Sequence, residues 1–166
     1  ETPIGFKNIA ELMLNETILI GGEESGGIGF SCHLPERDGI AVHMLLLDLL
    51  AQTKKSLTQV IEEMWSEFGE FHYDRRDLHV PIETGVRLTN HLLKDPPTQF
   101  CDMRVTEVQT LDGVKLMLQP DSWVLFRCSG TEPVLRVYTE SPTAAVTEKI
   151  LTAGVKFVEQ FPSHGA

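Results

Sequence analysis

The sequence has 166 residues, of which 42% are hydrophobic and 23% charged, a composition typical of a globular protein and not of a disordered or low-complexity chain. With 14 basic and 24 acidic residues, the formal net charge is −10 at pH 7, so the overall field repels phosphate backbones and anionic membrane surfaces. No apolar run approaches the roughly 20 residues of a membrane span; Met44 to Leu47, for example, is ended by Asp48. We therefore expect neither nucleic acid nor membrane as a partner, and a phosphorylated ligand would need a local cationic pocket.

Cysteine and histidine usage restricts the chemistry further. Cys32, Cys101 and Cys128 are an odd number at wide spacings without a CxxC pair, which indicates reduced thiols in a cytoplasmic protein. The six histidines have no metal-ligand spacing, so no metal site is expected in this chain. The sequence begins Glu1-Thr2-Pro3 without a methionine, and we interpret it as a fragment of a longer protein.

Residue patterns up to about position 70 predict an incomplete α/β domain. Asp38 can cap the second predicted helix, and Ser56 with Gln59 forms a capping box for the third. The second helix is apolar on nearly every face, which predicts burial on several sides. The predicted elements are a helix over 6–14, a buried strand over 17–20, a glycine-rich loop over 21–29, a helix over 38–52 and a helix from 57 to the stop at 69.

Residues 71–166 predict a separate, small α+β domain after a polar, charged boundary at 70–77. Leu111-Asp112-Gly113 lies between two alternating segments and predicts a β-hairpin, with Val114, Leu116 and Leu118 pointing inward. We expect a four-stranded antiparallel sheet with two helices. The predicted elements are a strand near 78–81, a helix over 84–94, strands over 105–110, 114–118, 123–126 and 134–139, and a last helix opened by Ser141-Pro142.

The loop from Gly22 to Gly27 is the first candidate site. Its glycines allow a ligand to approach the backbone, and the carboxylate of Glu23 and the hydroxyl of Ser25 suit the hydroxyl groups of a sugar. Its spacing matches neither a P-loop nor the dinucleotide-binding fingerprint. On spacing alone, a β-turn with solvated acids fits the loop as well.

The segment from Arg127 to Pro133 is the second candidate site. Small residues in a tight turn can aim several backbone N–H groups at one anion, hydroxyl groups add donors, and Arg127 can grip an oxyanion in a forked pair. This is phosphate-binding chemistry in an acidic protein. A strand-connecting turn, in which Ser129 and Thr131 satisfy their own backbone, explains the same composition.

Four motifs together resemble the α-D-phosphohexomutase family, the phosphoglucomutases and phosphomannomutases. They occur in the order and at the separations of that family. The motifs are Thr2 to Lys7, Gly21 to Gly27, His33 to Gly39 and Arg127 to Arg136. The resemblance implies that residues 1–70 are the C-terminal part of the third domain, with the sugar-binding loop, and that residues 71–166 are the fourth domain, with the phosphate-binding loop.

The resemblance also implies roles for individual residues. The sugar-binding residues would be Glu23, Ser25, Lys7, His33 and Arg37. The phosphate-binding residues would be Arg127, Ser129, Gly130 and Thr131. The partner is a small phosphosugar, and the family implies neither nucleic acid nor membrane; the oligomeric state stays open.

Family members interconvert hexose 1- and 6-phosphates through a 1,6-bisphosphate, using a phosphoserine loop of Ser-His-Asn/Gly-Pro type and a Mg²⁺ held by an Asp-x-Asp-x-Asp-Arg loop. Neither loop occurs in these 166 residues. The resemblance therefore implies the C-terminal part of a mutase acting on glucose phosphates, with mannose phosphates as a second substrate, and no turnover by this chain alone. The alternative is a non-catalytic sugar-phosphate-binding or interaction module.

Overall fold

The computed structural model describes residues 1–129 and 132–162. By its contacts the chain divides into two compact units, Glu1–Glu67 and Phe68–Ala166. The first unit combines helices with a short sheet, and the second packs helices on an antiparallel sheet. The expected fold class, α/β followed by α+β, is confirmed.

In the first unit, every residue of which is described, three helices accompany a two-stranded antiparallel sheet. Both predicted helix caps are confirmed: Oδ1 of Asp38 accepts the N–H groups of Ile40 and Ala41, each at 3.0 Å. Ser56 donates its N–H to Oε1 of Gln59 at 2.9 Å, and the N–H of Gln59 returns to the Ser56 hydroxyl at 3.3 Å. The elements are α1 (Phe6–Asn15), β1 (Ile20–Gly22), β2 (Ile28–Phe30), α2 (Gly39–Thr53) and α3 (Leu57–Phe68).

Two expectations for the first unit are wrong. The strand begins only at Ile20, and its neighbour Leu19 is 79% exposed instead of buried. Helix α2 has no buried residue, although its sequence predicted burial on several sides. The reason is physical: α2 contributes apolar side chains on every face, but the described unit supplies packing partners for only some of them. Its exposed apolar residues include Ile40, Met44 and Leu47.

The second unit contains, among its described residues, a six-stranded antiparallel sheet and two helices. The elements are β3 (His72–His79), α4 (Ile82–Lys94), β4 (Gln99–Phe100), β5 (Met103–Gln109), β6 (Val114–Gln119), β7 (Ser122–Cys128), β8 (Val134–Ser141) and α5 (Ala144–Gln160). The strands lie in the order β3-β8-β7-β6-β5-β4. A four-stranded sheet was expected. The two further strands are the short β4, which was not predicted, and β3, of which the sequence predicted only a strand near 78–81. The charged segment 70–77 is therefore not a linker. Most of it forms β3, which pairs along its whole length with β8.

The core of the second unit lies between one face of this sheet and helices α4 and α5. The predicted inward alternation of β6 is confirmed, since Val114 and Leu116 are fully buried and Leu118 is nearly so. The other face of β7 and β8 carries charged and aromatic side chains, among them Arg127 and Arg136. Side chains of a strand alternate between the two faces of a sheet, and one face of this sheet is buried by the helices. These arginines therefore lie on the face away from the helices.

Candidate functional site: a sugar-type loop and a phosphate-type loop

The loop between β1 and β2 is a tight, internally bonded turn. Its two strands pair Gly22 with Ile28, so residues 23–27 form the connection. Glu23 donates its N–H to the Gly27 carbonyl at 2.8 Å, and Gly26 returns a bond to the Glu23 carbonyl at 3.0 Å. Gly26 has φ +91°, a conformation that residues with a Cβ rarely adopt. The glycines therefore serve the backbone geometry that presents Glu23 and Ser25.

Arg37 lies against this loop. Its Nη1 is 3.1 Å from Oε2 of Glu23, and the Glu23 side chain is only 10% exposed while that of Arg37 is 53% exposed. The guanidinium also stands 5.4 Å from the ring centroid of Phe6. A Cβ at Gly27 would lie 2.5 Å from Cδ of Arg37, so only glycine permits this approach. The structure thus brings together two of the predicted sugar-binding residues, 14 positions apart in sequence.

Glu36 is a member of this cluster that the sequence did not single out. Its Oε1 accepts the backbone N–H of Arg37 at 2.7 Å and lies 3.3 Å from Nε of the same residue. The hydrogen bond from that backbone N–H is the main reason that the pKa of Glu36 falls below its ordinary value. Two carboxylates therefore share one guanidinium, and no periodicity in the sequence signals that arrangement.

The remaining predicted sugar-binding residues differ in their surroundings. Ser25 and Lys7 are exposed, and neither side chain has a hydrogen-bond or ion-pair partner within the part of the chain that the structure describes. Nε2 of His33 lies 2.9 Å from Oδ2 of Asp38, the residue that caps α2. The Ala41 N–H first, and His33 second, hold the pKa of Asp38 below its ordinary value. His33 is thereby tied to the N-terminus of α2.

The phosphate-type loop follows β7 and returns to β8. Arg127, at the end of β7, pairs directly with Arg136 on β8, which in turn pairs with Asp77 on β3. Directly opposed residues in a sheet project from the same face, and like charges there are unfavourable without counter-charges. Asp112 provides one, because its Oδ2 is 3.0 Å from Nε of Arg127. The result is a row of two cations, one carboxylate at each end.

Arg136 is a second residue that the sequence placed in a motif but not among the binding residues. Its Nε is 3.3 Å from Oδ2 of Asp77 and its Nη2 is 3.5 Å from Oε2 of Glu132. Burial opposes the charged form, but Asp77 and the other neighbours of Arg136 raise its pKa above the ordinary value. The position nine residues after Arg127 in a strand–turn–strand segment was the available signal.

Ser129 closes the turn from within. It is 7% exposed, its N–H donates to the Val134 carbonyl at 2.9 Å, and its Oγ accepts the N–H of Glu132 at 3.2 Å. Ser129 therefore has the turn-forming role that the sequence composition allowed, and its hydroxyl is bonded to the backbone of the turn. Gly130 and Thr131, the other two predicted phosphate-binding residues, lie outside the described residues.

Cys128 lies beside Arg127 on the core face of β7. Burial raises the pKa of its thiol, and Arg127 and Thr89 only partly offset that effect. A Cβ at Gly85 would lie 2.6 Å from its Sγ, which shows how closely α4 packs there. These surroundings are those of a packed core thiol and not of an activated nucleophile.

Neither a metal centre nor a membrane span is found in the described part of the chain. No group of three or more histidine, cysteine, aspartate or glutamate side chains among residues 1–129 and 132–162 could hold a metal ion. None of the described helices combines the length and apolar character needed to cross a bilayer.

Both units match family models. Residues 1–68 match the model described as phosphoglucomutase/phosphomannomutase, alpha/beta/alpha domain III, and residues 88–155 match the model of the C-terminal domain of the same family. The chain belongs to the phosphoglucomutase/phosphomannomutase family. The resemblance drawn from four motifs is confirmed, and the two matched regions include the sugar-type loop and the phosphate-type loop respectively.

Individual relatives agree with this family and differ in their named substrates. A phosphoglucomutase/phosphomannomutase of Thermococcus kodakarensis is 27% identical, and a phosphoglucosamine mutase of Lactobacillus johnsonii is 30% identical, each over 96% of this chain. A solved structure from Thermus thermophilus, assigned as a phosphomannomutase, has a TM-score of 0.74 at 36% identity over 95% of this chain. The chain spans about a third of the length of the relatives that it matches, with 32%, 31% and 30% of these three covered.

Proposed function

We propose that this chain provides the sugar- and phosphate-binding part of a phosphohexomutase, an isomerase that interconverts hexose 1-phosphate and hexose 6-phosphate. The observation that carries the proposal is the row of two arginines beside the Ser129 turn, within a chain of net charge −10. The overall field repels anions, so a phosphate needs directed donors at its binding site, and a guanidinium keeps several N–H donors even where a carboxylate lies beside one of its nitrogens. The proposed ligand is a small phosphosugar, and neither nucleic acid nor membrane is part of the proposal.

In this proposal Arg127, Ser129, Gly130 and Thr131 hold the phosphate that does not react. Arg127 offers a planar, permanently charged donor group that suits phosphate oxygens. A symmetric mutase must hold either end of a bisphosphorylated hexose in the same clamp. A small loop with one arginine and two hydroxyl groups places no demand on which carbon carries the bound phosphate.

The sugar hydroxyl groups are assigned to the first unit. Glu23 is the proposed acceptor, since Arg37 holds its carboxylate in one orientation at 3.1 Å. Ser25 and Lys7 are accessible donors, and His33 and Arg37 complete the set. The side chains of Ser25 and Lys7 are not fixed by a hydrogen bond or an ion pair within the described residues. They can therefore adapt to hexoses that differ at one carbon.

The chemical step needs a phosphoryl donor and a charge-neutralising group that these residues do not supply. In the proposed parent enzyme a phosphoserine donates the phosphoryl group and Mg²⁺ assists, with hexose 1,6-bisphosphate as intermediate and activator. The described residues offer no set of ligands that fits Mg²⁺, so no step that involves the metal is assigned to them. The contribution of this chain is positioning, and alone it should not turn over substrate.

Glucose phosphates are the proposed substrates, with mannose phosphates as a second substrate. The Glu23 to Gly27 loop supports this choice over glucosamine phosphate, whereas the overall identities to the named relatives are too similar to decide between them. Cytoplasmic location belongs to the same proposal and is supported by three cysteines that form no disulfide.

Binding measurements on the isotopically labelled chain test the proposal. Titration with glucose 1-phosphate should move amide signals near Arg127 and Ser129, whereas glucose alone should not. Arg127→Ala should weaken binding at least roughly tenfold, because one charge-assisted hydrogen bond contributes about 1.5–3 kcal/mol. Arg104→Ala removes the same charge from an exposed position of β5 and should leave the affinity within about twofold. Equal affinities of Arg127→Ala and the unaltered chain would contradict the phosphate assignment.

A non-catalytic sugar-phosphate-binding module is the second candidate. It is favoured by one observation, the absence of both catalytic loop sequences from these 166 residues. One assay mixes the chain with Mg²⁺, glucose 1-phosphate and glucose 1,6-bisphosphate. No glucose 6-phosphate should form under either candidate, so this assay tests only the inactivity of the chain alone. The upstream reading frame discriminates between the two: a serine loop followed by an aspartate-rich loop identifies the mutase, and an unrelated domain identifies the module.

A further inference from the structure

The side chain of Arg127 is largely buried but makes few polar contacts with the described residues. Its side chain is 19% exposed, and Asp112 is the one described carboxylate within ion-pair distance. The buried Nε lies 3.0 Å from that carboxylate without hydrogen-bond alignment, and no other atom of the guanidinium donates a hydrogen bond to the described residues. The Nε side of the guanidinium is thus held by an ion pair with Asp112. The two terminal nitrogens form no hydrogen bond with residues 1–129 and 132–162.

The turn that carries Asp112 is packed against Arg127 by its backbone as well. Gly113 follows Asp112 and has φ +88°. A Cβ at Gly113 would lie 2.5 Å from the Phe126 carbonyl oxygen and 3.1 Å from Cα of Arg127. The backbone of the turn that carries Asp112 is therefore in close contact with the strand that carries Arg127.

We propose that Asp112 is a positioning residue that holds the guanidinium of Arg127 ready for the oxygens of a phosphate. The proposal rests on the proposed function and adds a residue that no motif assigned. A long arginine side chain loses rotamer freedom when it binds a ligand, and this loss weakens binding. If a fixed counter-charge already restricts the side chain, the loss occurs on folding and no longer weakens ligand binding. Asp112 contacts the arginine and is not assigned any contact with the ligand.

Two effects of the Asp112 charge have opposite signs, and this makes the proposal testable. A carboxylate beside the site lowers the local positive potential, so electrostatics alone would make Asp112→Asn bind phosphate more tightly. Loss of positioning would make the same variant bind more weakly. The sign of the change in affinity therefore distinguishes a positioning residue from a mere neighbouring charge.

The experiment titrates inorganic phosphate and glucose 1-phosphate into the full chain and into Asp112→Asn, with nuclear magnetic resonance as the readout. We expect roughly tenfold weaker binding of both probes to the variant, and faster solvent exchange of the Arg127 Nε–H. Asp102→Asn, which removes an equal charge from a residue paired with Lys149, is the matched control and should bind as the unaltered chain does. Asp112→Ser repeats the test with another residue that turns accept.

A double variant separates positioning from damage to the fold. In the Arg127→Ala background, Asp112→Asn should cause no further weakening, because the residue to be positioned is absent. Unchanged or tighter binding by Asp112→Asn alone, or equal weakening in both backgrounds, would overturn the role of Asp112 and leave the phosphate site intact. Absence of binding by the unaltered chain would instead overturn the proposed function, and the role of Asp112 with it.

Discussion

Gly113 offers a direct test of how the β5–β6 turn supports the strand that carries Arg127. In Gly113→Ala the new Cβ would stand 2.5 Å from the Phe126 carbonyl oxygen, a backbone atom that no side-chain rotation can remove. The left-handed backbone at φ +88° adds roughly 1–2 kcal/mol of strain for alanine, and overpacking adds about 1–3 kcal/mol. The smaller entropy of the unfolded alanine chain offsets about 0.4–1 kcal/mol. We expect a net loss of about 1–4.5 kcal/mol.

The assay is chemical denaturation of the second unit followed by the fluorescence of Trp123. Trp65, which lies in the first unit, is replaced by phenylalanine in every variant so that one signal reports one unit. Asp121→Gly is a control of opposite sign, because Asp121 has φ +34° in the next turn and glycine would relieve that strain. A loss below about 1 kcal/mol for Gly113→Ala would refute the close contact between the turn and the strand.

Two further predictions concern titratable groups. The backbone N–H of Ala41 and the His33 ring favour the charged form of Asp38, so Asp38 should titrate below its ordinary pKa. Its capping of α2 should therefore be complete at pH values above the ordinary pKa and be lost as the pH falls through the lowered pKa. The amide proton shifts of Ile40 and Ala41 can follow this loss. A midpoint at or above the ordinary pKa would contradict this. Burial raises the pKa of the Cys128 thiol, so iodoacetamide should modify exposed Cys32 first at mildly alkaline pH; equal rates at the two cysteines would disprove the packed environment of Cys128.

Local chemistry explains which parts of the fold could be predicted from the sequence. The Asp38 cap, the Ser56–Gln59 box and the hairpin at Gly113 each depend on residues within a few positions of one another. Strand β3 was predicted only near 78–81, whereas it begins at His72, because the charged residues before position 78 suggested a solvated linker. It is an edge strand, where charged side chains are common, and its partner β8 begins more than 50 residues later.

The candidate sites were predictable to a different extent. The predicted binding residues of both loops come from the family resemblance, which rests on four weak motifs that are specific only in combination, and their roles stay predictions. The contacts between Arg37 and Glu23, and between Arg127 and Asp112, could not be predicted, since each depends on how separate turns pack. The predicted burial of α2 was wrong for a related reason. An apolar sequence shows that a helix can pack against other elements, but it does not show that such elements are present.

A crystal structure of the chain soaked with glucose 1-phosphate tests the central claim most directly. We expect the phosphoryl group against the guanidinium of Arg127 and the turn at Ser129, with Asp112 still beside Nε. An empty turn at saturating ligand, with the guanidinium of Arg127 directed into the protein, would contradict the assignment of this loop as the phosphate site.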